Sequence, residues 1–570
     1  MSSPRLSEFI KAYDVRGLVP QQLNDAVAFA IGSAFAQVVA RPDGATSIVI
    51  GHDMRPSSPG LSRAFAAGAA AHGLDVTLIG LCSTDGLYYA SGALDVPGAM
   101  FTASHNPGQY NGIKLCRSGA RPVGQDTGLS EIRDLAQSLL DSGEAPGAPG
   151  VPGMPAVDAP AGSAPPTTAA APGVISERDV LADYAQFLRG LVDLCELRPL
   201  RVVVDAGNGM GGHTVPAVLG TQGALPRLPL TVIPLYFELD GTFPNHEANP
   251  LEPENLRDLQ AAVIAHGADL GLAFDGDADR CFVVDERGEP VSPSAITALV
   301  ATREIARERA AGRDATIVYN VISSAAVPEI IVEAGATAVR TRVGHSFIKG
   351  EMARHQAVFG GEHSGHYYFR DFWFADTGML AAMHVLAALG EQSRPLSEVV
   401  ARFSRYAASG EINSTVADAR AATADVRAWA KAQDGEFDEL DGMTVTHQGD
   451  PMWWFNLRAS NTEPLLRLNV EASDEAAMAR VRDDVLSIVR GEALMTEETQ
   501  PAGAAAPSAA QIEPWLREIL RCPQCRSTLS DGSGPSGPEL HCTNAECRLA
   551  YRIDDGIPVL LVDESRSLAG

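Results

Sequence analysis

The chain has 570 residues, 45% of them hydrophobic, and a formal charge of −27 from 44 basic and 71 acidic side chains. That length exceeds a single core and predicts about three to five domains. The acidic balance repels nucleic acid and anionic membrane, no apolar run reaches spanning length, and the start MSSPRLSEF lacks a secretory h-region, so a cytoplasmic protein without nucleic-acid or membrane partners is expected.

In chain order, TSIVIGHD (46–53) and LDVTLIG (74–80) read as strands around the helical PGLSRAFAAGAAAHG (59–73), and VPGAMF (96–101) as a short buried strand. Residues 143–173 are so rich in Pro, Ala and Gly that they form a linker rather than a core. RVVVDAGNG, LTVIPLYF and DLGLAFDG predict the strands of a second β/α set. ATIVYNV and TAVRTRVG, with SSAAVPEIIVEAG as the helix between them, predict a third. GMTVTHQGDPMWWFNLRAS and EPLLRLNVEA predict antiparallel strands before the helix DEAAMARVRDDVLSIVRG, a fourth domain of α+β type. TQPAGAAAPSAAQ then separates this body from a cysteine-bearing tail. The expected division is 1–142, a linker at 143–173, 174–290, 291–405, 406–495, a linker at 496–510, and 511–570.

TASHNP (102–107) presents Ser104 at the end of the VPGAMF strand, because Asn106-Pro107 disfavours helix before the proline. DGDADR follows the strand ADLGLAF, and alternation in extended backbone turns Asp275, Asp277 and Asp279 to one side. Three converging carboxylates repel one another unless a cation sits among them, and hard oxygen donors suit Mg²⁺. The plainer reading, a solvated acidic turn, is disfavoured by the apolar flanks. GEHSGH (361–366) exposes Glu362, Ser364 and His366, whose donors and acceptors suit sugar hydroxyls. RASNTEP (458–464) gathers Arg458, Ser460, Asn461 and Thr462 in a turn able to hold a phosphate.

Three other patterns fail on their surroundings. Asp275, Asp277, Asp279 and Glu286 match EF-hand positions, yet Arg280 stands where the loop needs glycine and CFVVD continues as a strand. Gly207-x-Gly209-x-x-Gly212 follows a strand, but His213 and Pro216 interrupt the expected helix and no acidic residue ends the next strand, which excludes a dinucleotide site. Ser104-His105 lacks a G-x-S-x-G elbow, and adjacent loop residues rarely face each other, so a serine esterase is not indicated.

A loop serine, an aspartate triad, a hydroxyl-reading loop and a phosphate loop together suggest phosphoryl transfer on a sugar. The ordered motifs FIKAYDVRG, TASHNPGQYNGIKL, DGDADR, VGHSFIKGEM, GEHSGH and RASNTEP, spread over residues 9–464, resemble those of the α-D-phosphohexomutases, specifically the phosphomannomutase/phosphoglucomutase branch. The resemblance implies a heart-shaped α/β enzyme of four domains, three α/β and one α+β. It implies Ser104 as phosphoryl carrier, Asp275, Asp277 and Asp279 holding Mg²⁺ against its phosphate, and a hexose 1,6-bisphosphate as intermediate and activator. Tyr13 and Arg16 would face the cleft, Arg16 and His105 near the phosphoserine, while Lys114 and Arg280 supply positive charge. Lys114 and His345 are the candidates for proton transfer. Glu362, Ser364 and His366 would bind sugar hydroxyls, and Arg458, Ser460, Asn461 and Thr462 the phosphate not being transferred.

GEHSGH and RASNTEP look closer to phosphomannomutases than to phosphoglucosamine mutases, so the expected reaction interconverts mannose 1-phosphate and mannose 6-phosphate. Phosphoglucomutase or dual activity is the alternative, and a non-catalytic scaffold the rival from another class. One departure is Ile322 in NVISS, where related enzymes often carry lysine. The tail pairs Cys522 and Cys525 with Cys542 and Cys547, two thiol pairs suited to a closed structural Zn²⁺ site; the second pair is spaced C-x4-C. A redox role for Cys522-x-x-Cys525 would not require the second pair. YRIDDGIPVLL resembles the small zinc-ribbon family that includes methyltransferase activators, which makes the tail a candidate docking module for an unknown protein partner.

Overall fold

Apolar β-branched runs alternating with helices fold into four sheets in one compact unit, Met1–Leu494, and a fifth sheet lies in a second unit, Met495–Gly570. The structure is a computed structural model and describes residues 4–11, 13–143, 171–221, 225–416, 418–459, 465–491, 520–534, 537–554, 557–562 and 565–568. Most of the two expected linkers, and Ser460, Asn461 and Thr462, therefore lie outside the described residues.

The first sheet runs Val15–Leu18, Tyr110–Arg117, Gly98–Phe101, Ser47–His52, Asp75–Leu81, Ile175–Glu177, with Arg121–Pro122 added beside Tyr110–Arg117. Its central strands are parallel and covered on both faces, which explains why SIVIGH is a continuous apolar run rather than an alternating one. Tyr110–Arg117 returns antiparallel, setting Lys114 opposite Met100 and Gly112 opposite Arg16. The last strand, Ile175–Glu177, comes from beyond the Pro/Ala/Gly stretch and pairs with Asp75–Leu81. The division expected at 173/174 thus separates a strand from its sheet; a three-residue edge strand carries too short a pattern to be read from sequence. Helices Asp25–Phe35 and Ser58–Ala70 cross at a close approach, where a Cβ on Gly32 would meet the Phe65 carbonyl oxygen at 2.2 Å and one on Gly68 that of Phe29 at 2.2 Å.

The second sheet, Pro290–Val291, Cys281–Asp285, Leu270–Phe274, Leu200–Asp205, Leu230–Leu235, and the third, Thr337–Thr341, Thr316–Asn320, Phe359–Gly361, Tyr367–Phe369, Ala375–Asp376, share one continuous hydrophobic core. Contrary to expectation, a helix does follow the GNGMGG turn: Gly211–Val218 keeps Pro216 inside it. In so short a helix the proline removes one i→i−4 bond without ending the element. The fourth sheet is antiparallel throughout, Ala407–Thr415, Leu465–Ala472, Trp453–Ala459, Met443–His447, Glu436–Asp438, and buries its apolar face under Glu475–Arg490. Its Asp474 caps that helix by accepting from the Ala477 amide.

The second unit has strands Leu529–Gly534, Gly537–Cys542 and Leu549–Asp554 in an antiparallel run, around a small core of Cys522, Leu540, Cys542 and Tyr551. Among the described residues no helix is long and apolar enough to cross a membrane.

Candidate active site

Strand Gly98–Phe101 delivers the chain into a loop where Ser104 adopts φ +49°, an uncommon left-handed conformation for a residue with a Cβ. Ser104 is 4% exposed; its amide donates to Thr102 Oγ1 (2.9 Å) and its Oγ donates to Asp275 Oδ2 (2.7 Å). The metal-loop side approaches equally closely, because a Cβ on Gly276 would meet the Ser104 carbonyl oxygen at 2.3 Å. Glycine at 276 is therefore what lets DGDADR lie against the serine.

The three aspartates converge, though not by extended alternation. DGDADR is a tight turn between Leu270–Phe274 and Cys281–Asp285, closed by the Ala278 amide donating to the Asp275 carbonyl (3.0 Å), with Ala278 at φ +58°. One carboxylate oxygen from each of Asp275, Asp277 and Asp279 lies within 4.8 Å of the others, and all three side chains are buried. Burial, reinforced by the charges of Asp279 and Asp277 against the pull of Arg280, pushes Asp275 up to about 7. Asp277 is held low despite the burial that opposes it, because Lys114 Nζ (2.7 Å) and Thr84 Oγ1 (2.6 Å) both donate to its Oδ2. Lys114 Nζ also donates to Asp279 Oδ2 (2.6 Å), and the two carboxylates raise its pKa well above the usual lysine value despite desolvation. Asp277 Oδ1 and Asp279 Oδ1 are buried without a hydrogen-bond partner, two hard acceptors left over within the cluster. The donor set fits a hard divalent cation.

Arg280 bridges the serine loop and the triad. Its Nε donates to Asp275 Oδ2 (2.9 Å), and its Nη2 reaches His105 Nδ1 (2.7 Å) and Ser104 Oγ (3.5 Å). Ser104 Oγ does come within 3.3 Å of His105 Nδ1, closer than adjacent loop residues usually do. That nitrogen is taken by the guanidinium, and burial together with Arg280 and Arg16 holds His105 well below the usual histidine range, so no hydrolase dyad results. Arg16 donates to Asn106 Oδ1 (2.5 Å) and to Asp14 (2.7 Å), fixing the far side of the loop.

The third sheet adds the GEHSGH loop, joined to the metal loop by a bridge between Arg280 and His366 and by the Cys281 amide donating to the Gly365 carbonyl (3.2 Å). Glu362 departs from expectation in being buried rather than exposed. Its Oε1 accepts from the Gly344 amide (3.0 Å) and Asn320 (3.2 Å), and its Oε2 from the Tyr368 hydroxyl (2.7 Å). It ends the strand Phe359–Gly361 pointing inward, where it ties down the start of helix His345–His355. Ser364 and His366 are half-buried, Ser364 Oγ lying 2.9 Å from His366 Nδ1 and His366 Nε2 3.6 Å from Asp279. His345 packs edge-on against Tyr13 (5.3 Å between ring centres), and burial beside Lys349 pushes it down to about 3. Ile322 is buried near Ser324, His363 and Trp454, and no lysine or arginine is among the described residues that line that pocket.

A cleft of about 650 Å³ opens between Arg16 and Tyr13 on one side and Arg458 on the other, a volume that accommodates a phosphorylated sugar. Arg458 is paired with Glu411 (2.6 Å), which also receives Arg467 (3.3 Å). Lys11, Arg342 and Arg467 line the same cleft and were not singled out in the sequence, where each is one basic residue in an ordinary strand or turn.

Four domains described as phosphoglucomutase/phosphomannomutase match this chain in order: alpha/beta/alpha domain I at 8–141, domain II at 182–288, domain III at 292–406 and the C-terminal domain at 411–488. The chain belongs to the phosphoglucomutase/phosphomannomutase family. It is 40% identical to a Xanthomonas campestris protein named phosphohexose mutases over 487 residues, 84% of this chain and 99% of that one. It is 38% identical to a Salmonella typhimurium phosphomannomutase over 478 residues, 84% of this chain and 97% of the relative. The crystal structure of a phosphoglucomutase/phosphomannomutase family protein from Burkholderia thailandensis superposes with a TM-score of 0.70 at 28% identity, covering 85% of this chain and 97% of that one. This phosphohexomutase carries its second unit beyond the last matched family domain. There the sulfurs of Cys522, Cys525, Cys542 and Cys547 lie within 4.8 Å of one another, and Cys522 Sγ is 3.1 Å from the Tyr551 hydroxyl.

Proposed function

We propose that this phosphohexomutase is a phosphomannomutase that interconverts mannose 1-phosphate and mannose 6-phosphate through phosphorylated Ser104. The observation that carries the reading is the contact of Ser104 Oγ with Asp275 inside a buried triad spanned by Arg280. In the forward half, the sugar's free hydroxyl attacks the Ser104 phosphorus, the O–P bond to the sugar forms, the bond to Oγ breaks, and the hydroxyl proton leaves to a side chain. The bisphosphorylated sugar then turns, and its other phosphoryl group returns to Ser104. A hexose 1,6-bisphosphate accordingly primes the enzyme.

Asp275, Asp277 and Asp279 would hold Mg²⁺, which when bound offsets the negative charge that builds on the transferring phosphoryl oxygens. Arg280, Arg16 and His105 surround that group, Arg280 by charge-assisted contact. Lys114 and His345 are the candidates for moving the hydroxyl proton: Lys114 enters protonated beside two carboxylates, and His345 enters neutral. Ser364, His366 and the remaining acceptor capacity of Glu362 would read sugar hydroxyls. Tyr13, Arg458, Ser460, Asn461 and Thr462 would hold the distal phosphate. In this division of labour residues 1–142 carry the phosphoserine, 174–290 the metal loop, 291–405 the sugar loop and 406–495 the phosphate loop.

Turnover of mannose 1-phosphate and glucose 1-phosphate, measured with Mg²⁺ and a trace of glucose 1,6-bisphosphate, tests this. Conversion to 6-phosphates that EDTA abolishes is expected, with the larger kcat/KM for mannose 1-phosphate. A larger value for the glucose substrate would make it a phosphoglucomutase, and no turnover on either would direct the search to other hexose phosphates before the scaffold reading.

For the tail we propose a zinc-ribbon-like module, its four thiols closing a structural Zn²⁺ site and its surface docking a protein partner. Because no residue of the proposed catalytic set lies beyond 462, deletion of residues 511–570 is expected to keep kcat/KM within about 3-fold. A folded truncation without activity would refute that independence.

A further inference from the structure

Arg55 is among the largest fully buried side chains of the described residues, and nothing in the reaction described so far uses it. It follows the central strand Ser47–His52 and precedes helix Ser58–Ala70 in the segment HDMRPSS. All five of its guanidinium donors are engaged. Nε donates to Asp53 (3.2 Å), Nη1 to the carbonyls of Pro107 and Tyr110 (both 2.9 Å), and Nη2 to those of Ser104 (2.9 Å) and Asn106 (2.6 Å). Four carbonyls of the serine loop therefore converge on one planar cation.

Such convergence has a physical requirement. Aligned carbonyl dipoles repel one another, and a loop that carries Ser104 at φ +49° has no sheet ladder or helix to hold it in that shape. A buried guanidinium meets both needs, because its fork presents parallel donors in one plane, whereas an ammonium offers three donors from a single point. The cation is itself held from behind. Asp53 also accepts from the Arg55 amide (3.0 Å) and the Ser58 hydroxyl (2.6 Å), and the ring of Phe243, from the second domain, lies 5.2 Å from the guanidinium carbon. A Cβ on Gly241 would meet Arg55 Cα at 2.7 Å, so the second-domain loop closes directly over it.

We infer that Arg55 is a positioning residue for phosphoryl transfer, gripping the main chain of residues 104–110 so that Ser104 Oγ faces the aspartate triad. This rests on the reading of Ser104 as phosphoryl carrier. Arg280 meets the serine at its hydroxyl, and Arg55 holds its main-chain carbonyl. Arg55 is not among the residues that line the sugar cleft, so its loss should act on the rate of transfer and leave sugar binding alone.

The test is the single-turnover rate of Ser104 phosphorylation by glucose 1,6-bisphosphate, followed by intact mass, together with steady-state kcat and KM. Wild-type protein that takes up no phosphate at Ser104 would remove the premise itself. Given phosphorylated wild type, Arg55→Lys preserves the charge against Asp53 but not the fork. It is expected to slow phosphorylation and kcat at least ~30-fold, with KM within about 3-fold and phosphate still reaching one per chain. A destabilised but otherwise normal protein would instead show a lowered stoichiometry with an unchanged rate. An Arg55→Lys rate within about 3-fold of wild type overturns the inference. Should Arg55→Lys not fold, Asp53→Asn keeps shape while loosening the grip on Nε; it is expected to slow phosphorylation ~5-fold or more, and an unchanged rate there overturns the inference equally.

Discussion

Ser104→Ala is expected to lower kcat at least ~10³-fold, which corresponds to about 4 kcal/mol of lost transition-state stabilisation. The hydroxyl is the atom to which the phosphoryl group is attached in the proposed cycle, so its removal deletes the carrier rather than weakening a contact. Neither described hydroxyl beside it is free to stand in: Thr102 accepts from the Ser104 amide and is 2% exposed, and the Thr84 hydroxyl is committed to Asp277. The fold should tolerate the change. Alanine retains the backbone bond to Thr102, and the lost hydroxyl contact with Asp275 costs about 1 kcal/mol. Turnover with glucose 1,6-bisphosphate and intact mass are the measurements. Wild type should gain one phosphoryl group and the variant none. A variant that keeps a tenth of wild-type kcat would end the assignment of Ser104 as carrier.

What the sequence disclosed about this site follows the distance along the chain over which each contact is made. Ser104 and the aspartates are legible because a strand-ending turn and an acidic triplet are local strings. Even so, the triplet converges through a left-handed turn at Ala278, not through strand alternation, since alternation says nothing of where a strand stops. Glu362 was misjudged for a related reason: a glycine-flanked loop looks exposed, but its carboxylate is drawn inward by the amide of Gly344 and the hydroxyl of Tyr368. Thr84 was invisible, because its bond to Asp277 joins residues 193 apart and no periodicity reports it. Arg55 was hidden too, since one arginine after a strand gives no sign that four carbonyls will gather around it. In the fold, long apolar strands were legible and the edge strand Ile175–Glu177 was not, because pairing across the linker and not its own composition makes it a strand.

The contact between Thr84 and Asp277 also shapes the second large effect. Asp277→Asn is expected to reduce kcat/KM about 10³-fold and to raise the Mg²⁺ concentration for half-maximal activity at least ~10-fold. The amide is nearly isosteric, so the argument turns on charge and on which end faces where. Thr84 Oγ1 and Lys114 Nζ both donate to Asp277 Oδ2, which fixes the amide oxygen at that position. The NH₂ group must then occupy the place of Oδ1, the buried acceptor that has no hydrogen-bond partner. A donor there is attracted to Asp275 and Asp279 and repels a divalent cation, so cation binding loses one anionic ligand and gains a local repulsion. Folding should suffer less than activity. The Asp277 charge is favoured where it sits, held low by Lys114 and Thr84, so a neutral amide gives up part of that stabilisation, while Lys114 keeps its ion pair with Asp279 (2.6 Å). Melting temperature without added metal should therefore fall modestly, and the increment that Mg²⁺ gives wild type should shrink. Loss of the Mg²⁺ increment distinguishes a lost ligand from a damaged core. Mg²⁺-dependent turnover within 3-fold of wild type would instead remove Asp277 from the metal site.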